Sequence, residues 1–572
     1  MQGSRGLGFP VTFRSPVAFR SRVHASSSGV LRNLVSSALF SSISISIVPF
    51  AIILMLSACV VPVHAQLTLP HGLGYTLQTE FSFGQTEFSS GGDGADDEEI
   101  LELWLDVDYT IGDLLLGLRF VLFDPPDPAI IPDGTSSSGV DLLYGEYSGS
   151  TVNVRAGYFY ALFGRGLGLR IYEDRILRVD TNTRGAVVTY LLPDGEFTVL
   201  GGETIKGDSE DADRGRSKQL YGGDFEYGLW EPIALRGGGS WVATKLRADA
   251  SSGFEPLLMK VGRASALVAG VDLVGEFARV DGPNLLDSKH FTAASPNFHG
   301  HGLYTSASTV IGNVGLLFEY KDYDALLFRN NDGIDYIVPP AVIRDHSFSL
   351  LNRHPHQLDT DDEVGFQTEV TWVTERLGGM NPHLGLTSFV ANWNRTRNQD
   401  DEDLGNYFDD RYVEMEQEVG ESVTLIAGLS YQKSLGSTGS DDPFRRLWTP
   451  VFDLRYRIGD QYSLHTQYEH QHDRSDLFGE FDTEFFILEF ARSPYVTFGL
   501  IVEHTNKSKL QLERLAESDT DFVGGSLDLS LMGNNELRLF YGTRNAGFIC
   551  VGGVCRLEPA FDGFEMSLMS RF

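Results

Sequence analysis

Along residues 100–123 apolar and polar side chains alternate with a period of two. Leu101, Leu103, Leu105, Val107 and Tyr109 fall on one face of an extended segment, and Glu102, Trp104, Asp106 and Asp108 fall on the other. Leu116, Leu118, Phe120 and Leu122 repeat the rule against Gly117, Arg119, Val121 and Phe123, as do Phe366, Thr368, Val370 and Trp372 against Gln367, Glu369 and Thr371. A helical period would place the charges inside the apolar face, so these segments are predicted as strands. Carried through the chain beyond Gln66, the same pattern predicts about 24 strands, within a range of about 20 to 26, each of roughly ten residues. That is the length a tilted strand needs to cross a bilayer.

The connections alternate in length. Ile111-Gly112-Asp113, Leu229-Trp230-Glu231-Pro232, Ile458-Gly459-Asp460, Arg492-Ser493-Pro494 and Met532-Gly533-Asn534-Asn535 are tight turns by composition. Every intervening connection is expected to be longer and polar, including residues 85–99, 124–139, 206–217, 281–301, 324–363, 396–409, 506–520 and 544–560. Short periplasmic turns and long extracellular loops produce this alternation, whereas a soluble sandwich or propeller gives no reason for it. The predicted fold is all-β, a single large antiparallel transmembrane β-barrel over residues 66–572. In the last segment Phe564, Met566, Leu568 and Phe572 oppose Glu565, Ser567 and Arg571. A closing amphipathic strand ending in Phe572 is similar to the signal read by the barrel assembly machinery, which is thereby implied as a partner.

Residues 1–65 contain no Asp or Glu, while Arg5, Arg14, Arg20, Arg22 and Arg32 precede an apolar run from Ile47 to Val61. This is the pattern of an export signal, with Val63-His64-Ala65 before Gln66 as the small-residue cleavage site. A retained anchor helix is the alternative, and Leu56-Ser57-Ala58-Cys59 also resembles a lipoprotein box in which Cys59 would be acylated. Only about nine residues then separate Gln66 from the first strand, so a plug for the lumen is expected to come from loops, with residues 160–182 and 324–363 the candidates.

Composition narrows the partners. The chain carries 78 acidic against 45 basic residues, a net charge of -33, which argues against nucleic-acid binding through a basic surface. Outer-membrane lipid, including lipopolysaccharide, is the expected surrounding. Acidic clusters at Asp93–Glu99, Asp208–Asp213, Asp359–Glu363 and Asp400–Asp410 offer oxygen ligands to divalent cations, or are simply solvated loop charge.

At Gly157-Tyr-Phe-Tyr-Ala-Leu-Phe-Gly-Arg-Gly-Leu-Gly-Leu-Arg-Ile-Tyr-Glu-Asp-Arg175 the sequence resembles an uncharacterised family of outer-membrane barrel proteins that carries only an unknown-function label. That resemblance implies an outer-membrane location and no activity. Read physically, the stretch follows a strand and is rich in glycine, bearing Arg165, Arg170, Glu173, Asp174 and Arg175. Either Gly164 to Arg178 folds inward against the barrel wall as a constriction, its arginines meeting luminal carboxylates such as Glu102, Asp106, Asp108 or Glu146, or it is an ordinary external loop.

Other chemistry is sparse. Cys550 and Cys555 flank Val-Gly-Gly-Val and are expected to form a disulfide outside the cytoplasm, the alternatives being free thiols or half of a zinc site. His354 and His356 sit in the longest loop, and His465 and His470 fall on opposite faces of a strand that also carries His472. No Gly-x-Ser-x-Gly, His-Glu-x-x-His or phosphate-loop motif is present, and nothing points to a cofactor or catalytic residue. The expected function is a passive or substrate-selective pore for small solutes. The alternatives are a surface-binding barrel with a loop-sealed lumen and an outer-membrane enzyme, and an acidic entrance favours cations unless Arg119, Arg155, Arg538 and Arg571 reverse that locally.

Overall fold

The strands form because their alternation gives each one an apolar and a polar face, and those faces find opposite surroundings. The computed structural model describes residues 71–87, 96–125, 136–204, 219–246, 255–283, 297–330, 333–375, 383–399, 405–435, 443–476, 479–508, 511, 519–531 and 534–571. Ala65, Gln66, Cys59, Phe572 and residues 93–95, 208–213 and 400–404 lie outside the described residues, whereas Asp96–Glu99 of the first acidic cluster belong to the strand Asp96–Ile111 rather than to a loop.

A 24-stranded sheet runs as an antiparallel meander, each strand beside its sequence neighbours. The first strand, Leu73–Glu87, pairs with the last, Ala560–Arg571, from Thr76 opposite Arg571 to Glu87 opposite Ala560. This closes the sheet into a barrel without a free edge. Outward positions are apolar and exposed, as at Leu114, Leu116, Leu118, Phe120, Phe197 and Phe452. Inward positions include the buried polar side chains Glu102, Asn392, Asn394, Gln432, Glu469 and Asp473. An apolar exterior around a polar interior is the inverse of a soluble protein, and the chain is a large transmembrane β-barrel.

The tight turns follow backbone rules. At the hairpin between Glu255–Val268 and Val271–Pro283, Ala269 and Gly270 both have positive φ (53° and 82°), as a two-residue turn matched to strand twist requires. One connection departs from the expected lengths. Ser475 pairs directly with Gly479 on the long-loop side, so that end is a short hairpin rather than a long loop. Opposite charges across the ladder, including Arg474 with Glu480 at 3.1 Å, keep the two strands paired to their ends.

The chain leaves the meander for the interior between Val152–Phe159 and Thr183–Leu192, between Val314–Asp324 and Asp362–Thr374, and between Asn535–Arg544 and Ala560–Arg571. The main apolar core lies there, inside the barrel. Phe159, Phe163, Leu167, Leu169 and Ile171 from the first excursion pack with Leu326, Phe328, Tyr336 and Ile337 from the second. Val242, Leu246, Leu257, Met259 and Val280 of the wall complete the cluster.

Candidate functional site

The first excursion is built from two small hairpins. Ala161–Phe163 pairs with Leu169–Ile171, and Glu173–Asp174 pairs with Val179–Asp180. Gly164 and Gly166 turn the first hairpin at positive φ (61° and 94°). A Cβ on Gly164 would lie 2.6 Å from the Glu276 carboxylate, and one on Gly166 would lie 2.4 Å from the Val338 carbonyl, so the turn has room only for glycine. The Arg165 N–H donates to Glu276 (2.9 Å), the Arg170 N–H to the Tyr336 carbonyl (2.8 Å), and the Val338 N–H to the Gly166 carbonyl (3.2 Å). The first two excursions are thereby joined by main-chain hydrogen bonds.

The second hairpin is fastened by charge. On the inner wall Glu80 stands directly opposite Glu102 in register, a like-charge pair that needs a cation. Arg178 supplies it, donating to Glu102 (2.6 Å) and Glu80 (3.1 Å) from a left-handed backbone (φ 57°). Arg119 of the wall donates to Asp106 (2.6 Å) and to both oxygens of Glu173 (2.8 and 2.9 Å). Arg175 reaches Asp106 (3.3 Å), Glu173 (3.0 Å) and Gln78 (2.6 Å) and lies over the Trp104 ring. Burial alone raises the Glu173 carboxyl, but Arg119 and Arg175 outweigh it and hold it below the usual carboxylate range.

The structure thus brings Glu102, Asp106, Glu173 and Arg175 together, with Asp174 capping the Leu177 N–H at 3.0 Å. Asp108 stands apart, accepting from the Tyr144 hydroxyl at 3.2 Å, and Glu146 pairs with Arg155 of the neighbouring strand rather than with the excursion. Arg165 and Arg170 make no ion pair among the described residues, and Arg170 lies over the Tyr172 ring, because the first hairpin points toward the apolar seat and away from the carboxylate wall. Sequence reasoning placed Arg178 at the end of the inward segment but did not single it out as the cation that holds the wall, a role whose trace was the facing pair Glu80 and Glu102. It also missed the apolar inward positions Val242, Leu246, Leu257 and Met259, which a water-filled lumen has no use for.

The second excursion crosses the lumen to the far wall. Arg344 pairs with Glu369, His346 with Asp410 (2.8 Å), and Arg353 with Glu503. The Ser349 and Leu350 N–H groups donate to Glu469 (2.9 and 2.8 Å), while Phe348 and Leu351 pack on Tyr412, Ile426 and Val451. Beside the wall, Lys321 and Glu363 form a fully buried ion pair; Lys321 also donates to the Ala341 carbonyl, and Glu363 accepts from the Asp359 N–H (2.7 Å) and contacts His356 (3.0 Å). The third excursion is the hairpin Gly547–Val551 with Val554–Glu558, cross-linked by a disulfide between Cys550 and Cys555. Its Gly553 carbonyl accepts from the Leu358 N–H (3.0 Å), so it rests on the second excursion.

Two charged recesses remain beside these segments. One, of about 240 Å³, is lined by Arg178, Arg538, Arg544, Arg556, Glu558 and Glu565. The other, of about 420 Å³, is lined by Arg165, Glu226, Arg236, Arg263, Asp272 and Glu276. His465 lies between Asp453 (2.5 Å) and Glu489 (2.8 Å) on the inner wall, whereas His470 and His472 face Asp482 on the outside. Among the described residues no group of three or more His, Cys, Asp or Glu is arranged to hold a metal. In the Asp359–Glu363 cluster, Asp359 accepts from Asn406 (2.7 Å) and Asp362 from the Gln399 N–H (2.9 Å).

Burial, with Arg445, Arg353 and Lys507 nearby, pushes the His354 imidazole well below its ordinary value, and burial with Lys321 does the same to His356. A released loop takes up protons on these groups as pH falls through about 6.5, whereas the seated loop does not. Seating therefore weakens as pH drops below that value, by about tenfold per histidine per pH unit. Glu173, in the first excursion, has the other sign of origin, so its contribution to holding that excursion is lost only at lower pH, as pH falls from the ordinary carboxylate range toward its depressed value. Limited proteolysis within residues 325–361 is expected to quicken between about pH 7.5 and 5.5, and to respond less in His354→Gln/His356→Gln; equal rates at both pH values in the parent protein would contradict this.

Among solved structures, the chain is similar to the P pilus usher (PapC) translocation pore, with 10% identity, a TM-score of 0.41, and coverage of 87% of this chain and 99% of that one. It is similar to OccK5 (OpdH) of Pseudomonas aeruginosa, with 14% identity, a TM-score of 0.33, and coverage of 76% and 97%. It is also similar to the siderophore receptor PirA of Pseudomonas aeruginosa, with 9% identity, a TM-score of 0.39, and coverage of 87% and 80%. Likeness at this level is one of outline and carries no function across. No curated protein matches the sequence. The family model of DUF6029, a family of unknown function, matches residues 50–572, and the chain belongs to that family.

Proposed function

We propose that the protein is an outer-membrane transport barrel in which three inward-folded segments narrow the lumen and form a selective passage for small hydrophilic solutes. The observation that carries this reading is how the segments are held. Outside two apolar seats they hang on the wall by ion pairs and hydrogen bonds, such as Arg178 with Glu102 and Arg353 with Glu503, and charge-lined recesses lie alongside. Polar contacts exchange readily with water and solute, which suits a constriction that discriminates by charge. On this reading residues 1–65 direct export and are removed before Gln66, and Phe572 marks the barrel for assembly.

A second reading is a surface-binding or structural barrel with a sealed lumen. It is favoured by the continuous seat of the second excursion, from Leu326 and Phe328 on one wall to Glu469 and Glu503 on the other. One experiment separates the two. Protein purified from the outer-membrane fraction is expected to begin at Gln66 and to give small stepwise conductances in planar bilayers, with a reversal potential that reports the charge preference. Silence from folded barrels would favour the sealed reading, and an unprocessed N-terminus would remove the export assignment.

A further inference from the structure

On three of four neighbouring strands, Leu384–Arg397, Val423–Leu435 and Phe444–Ile458, the outer face changes character in the same order toward the long-loop end, while Phe408–Val419 between them runs Met415, Val413, Arg411 and Asp409. Along Val423–Leu435 the outward residues are Leu425, Ala427, Leu429, Tyr431 and Lys433, and along Phe444–Ile458, read back from its end, they are Leu454, Phe452, Pro450, Trp448 and Arg446. Apolar side chains give way to aromatic ones and then to cations. The register aligns these steps between strands. Arg395, Asp409, Lys433 and Arg446 are cross-strand neighbours in one row, and Trp393, Arg411, Tyr431 and Trp448 form the row below. Beneath them lies a shallow groove whose floor is Ala391, Val413 and Leu429, aliphatic residues flanked by Trp393 and Trp448.

In a chain with 78 acidic and 45 basic residues, this patch runs against the overall charge. Arg395, Arg397, Arg411, Lys433 and Arg446 gather there, and Asp409 is the single carboxylate on the described outer face of these strands. Arg411 pairs with Asp409 at 2.9 Å yet keeps 58% of its side chain exposed. Arg411 lies over Trp393 and Tyr431, and Arg395 and Lys433 both lie over Tyr407. Those rings fix the cations without neutralising them. The Arg395 Nε is buried with no hydrogen-bond partner among the described residues. The patch has a boundary, because two strands on, Gly479–Arg492 carries Glu480, Asp482 and Glu484 outward, opposite Arg474, His472 and His470 of the strand between.

A cationic, aromatic-backed row directly above an apolar groove on a bilayer-facing wall has one complementary ligand. We propose that it is a binding site for an anionic acyl lipid of the surrounding leaflet. A phosphate of the headgroup sits against Arg395, Arg411 and Lys433, and an acyl chain lies in the groove over Ala391 and Leu429. The site is on the outside of the barrel and is independent of any passage through the lumen.

Native mass spectrometry of the full-length mature protein in detergent tests this, with bis-phosphorylated lipid A as the probe and phosphatidylcholine and inorganic phosphate as comparisons. The parent protein is expected to retain lipid A in preference to phosphatidylcholine. Arg395→Gln/Arg411→Gln/Lys433→Gln is expected to lose affinity on the order of 100-fold, and Arg395→Lys/Arg411→Lys to stay close to the parent. Ala391→Trp fills the groove with every charge intact and is expected to weaken binding as well, which decides the matter if the triple variant does not fold. Equal retention by the folded triple variant or by Ala391→Trp, equal retention of phosphatidylcholine, or complete displacement by millimolar inorganic phosphate would each overturn the proposal.

Discussion

Replacing residues 325–361 by a short Gly-Ser linker is expected to raise single-channel conductance on the order of tenfold, because a barrel of this size leaves a lumen that wall side chains alone do not fill. The barrel itself tolerates the change. Val314–Asp324 and Asp362–Thr374 pair with each other along their whole length, from Val314 opposite Trp372 to Asp324 opposite Asp362, so the linker closes an existing hairpin. What is lost is the contact of Arg344 with Glu369 on the flanking strand and the bridge to strands further round the wall: His346 to Asp410, Arg353 to Glu503 and the Glu469 seat. Glu369, Asp410, Glu469 and Glu503 then face water as an acidic wall, and the enlarged current is expected to prefer cations. Planar-bilayer recordings on refolded protein decide this. If the folded variant conducts like its parent, the second excursion is not what limits passage.

Removing the first excursion is expected to act less, since it is the shorter segment, although it too reaches two walls, Glu80 and Glu102 on one and Glu276 on the other. Its hairpins seat on the apolar wall and on the Glu80, Glu102 and Asp106 row, and they put fewer residues into the lumen than the second excursion does. The order of the two effects follows from the length of each segment.

The barrel was legible because a membrane strand must alternate, and the alternation survives strand by strand from Leu101–Tyr109 to Phe564–Leu568. The inward carboxylates Glu102, Asp106 and Asp108 were legible for the same reason. Which cation meets which carboxylate was not. Arg178 reaches Glu102 through a left-handed backbone, and Arg170 is turned onto Tyr172 by the path of a hairpin that no periodicity encodes. A trace of the interior packing does exist in the sequence. Leu326-Leu327-Phe328, Tyr336-Ile337-Val338 and Leu350-Leu351 interrupt a connection otherwise read as polar, and their wall partners, Val242, Leu257 and Met259 for the first two and Tyr412, Ile426 and Val451 for the third, sit at inward positions. Apolar residues on the wrong face of a strand and apolar runs in a long loop account for one another once paired.

The largest expected loss of stability comes from Lys321. Its ammonium and the Glu363 carboxylate are both fully buried, on adjacent strands where the wall meets the second excursion. Lys321 stands directly opposite Gly365, where a Cβ would lie 3.1 Å from its Cε, so the glycine leaves the space the chain occupies. Lys321→Met keeps the length and apolar stem but strands Glu363 without its cation, and leaves the Ala341 carbonyl without this donor. Breaking a buried pair by removing one partner costs about 3–5 kcal/mol, whereas replacing both partners by apolar groups is often close to neutral. Thermal unfolding in detergent is therefore expected to fall sharply for Lys321→Met and to recover most of the loss in Lys321→Met/Glu363→Met. Glu363 also holds the Asp359 N–H and His356, so the recovery stops short of the parent by about 1–3 kcal/mol for the donors left unsatisfied. A single variant as stable as the parent would show that the pair does not anchor the loop, and a double variant no better than the single would place the loss in the loop contacts rather than in the uncompensated charge.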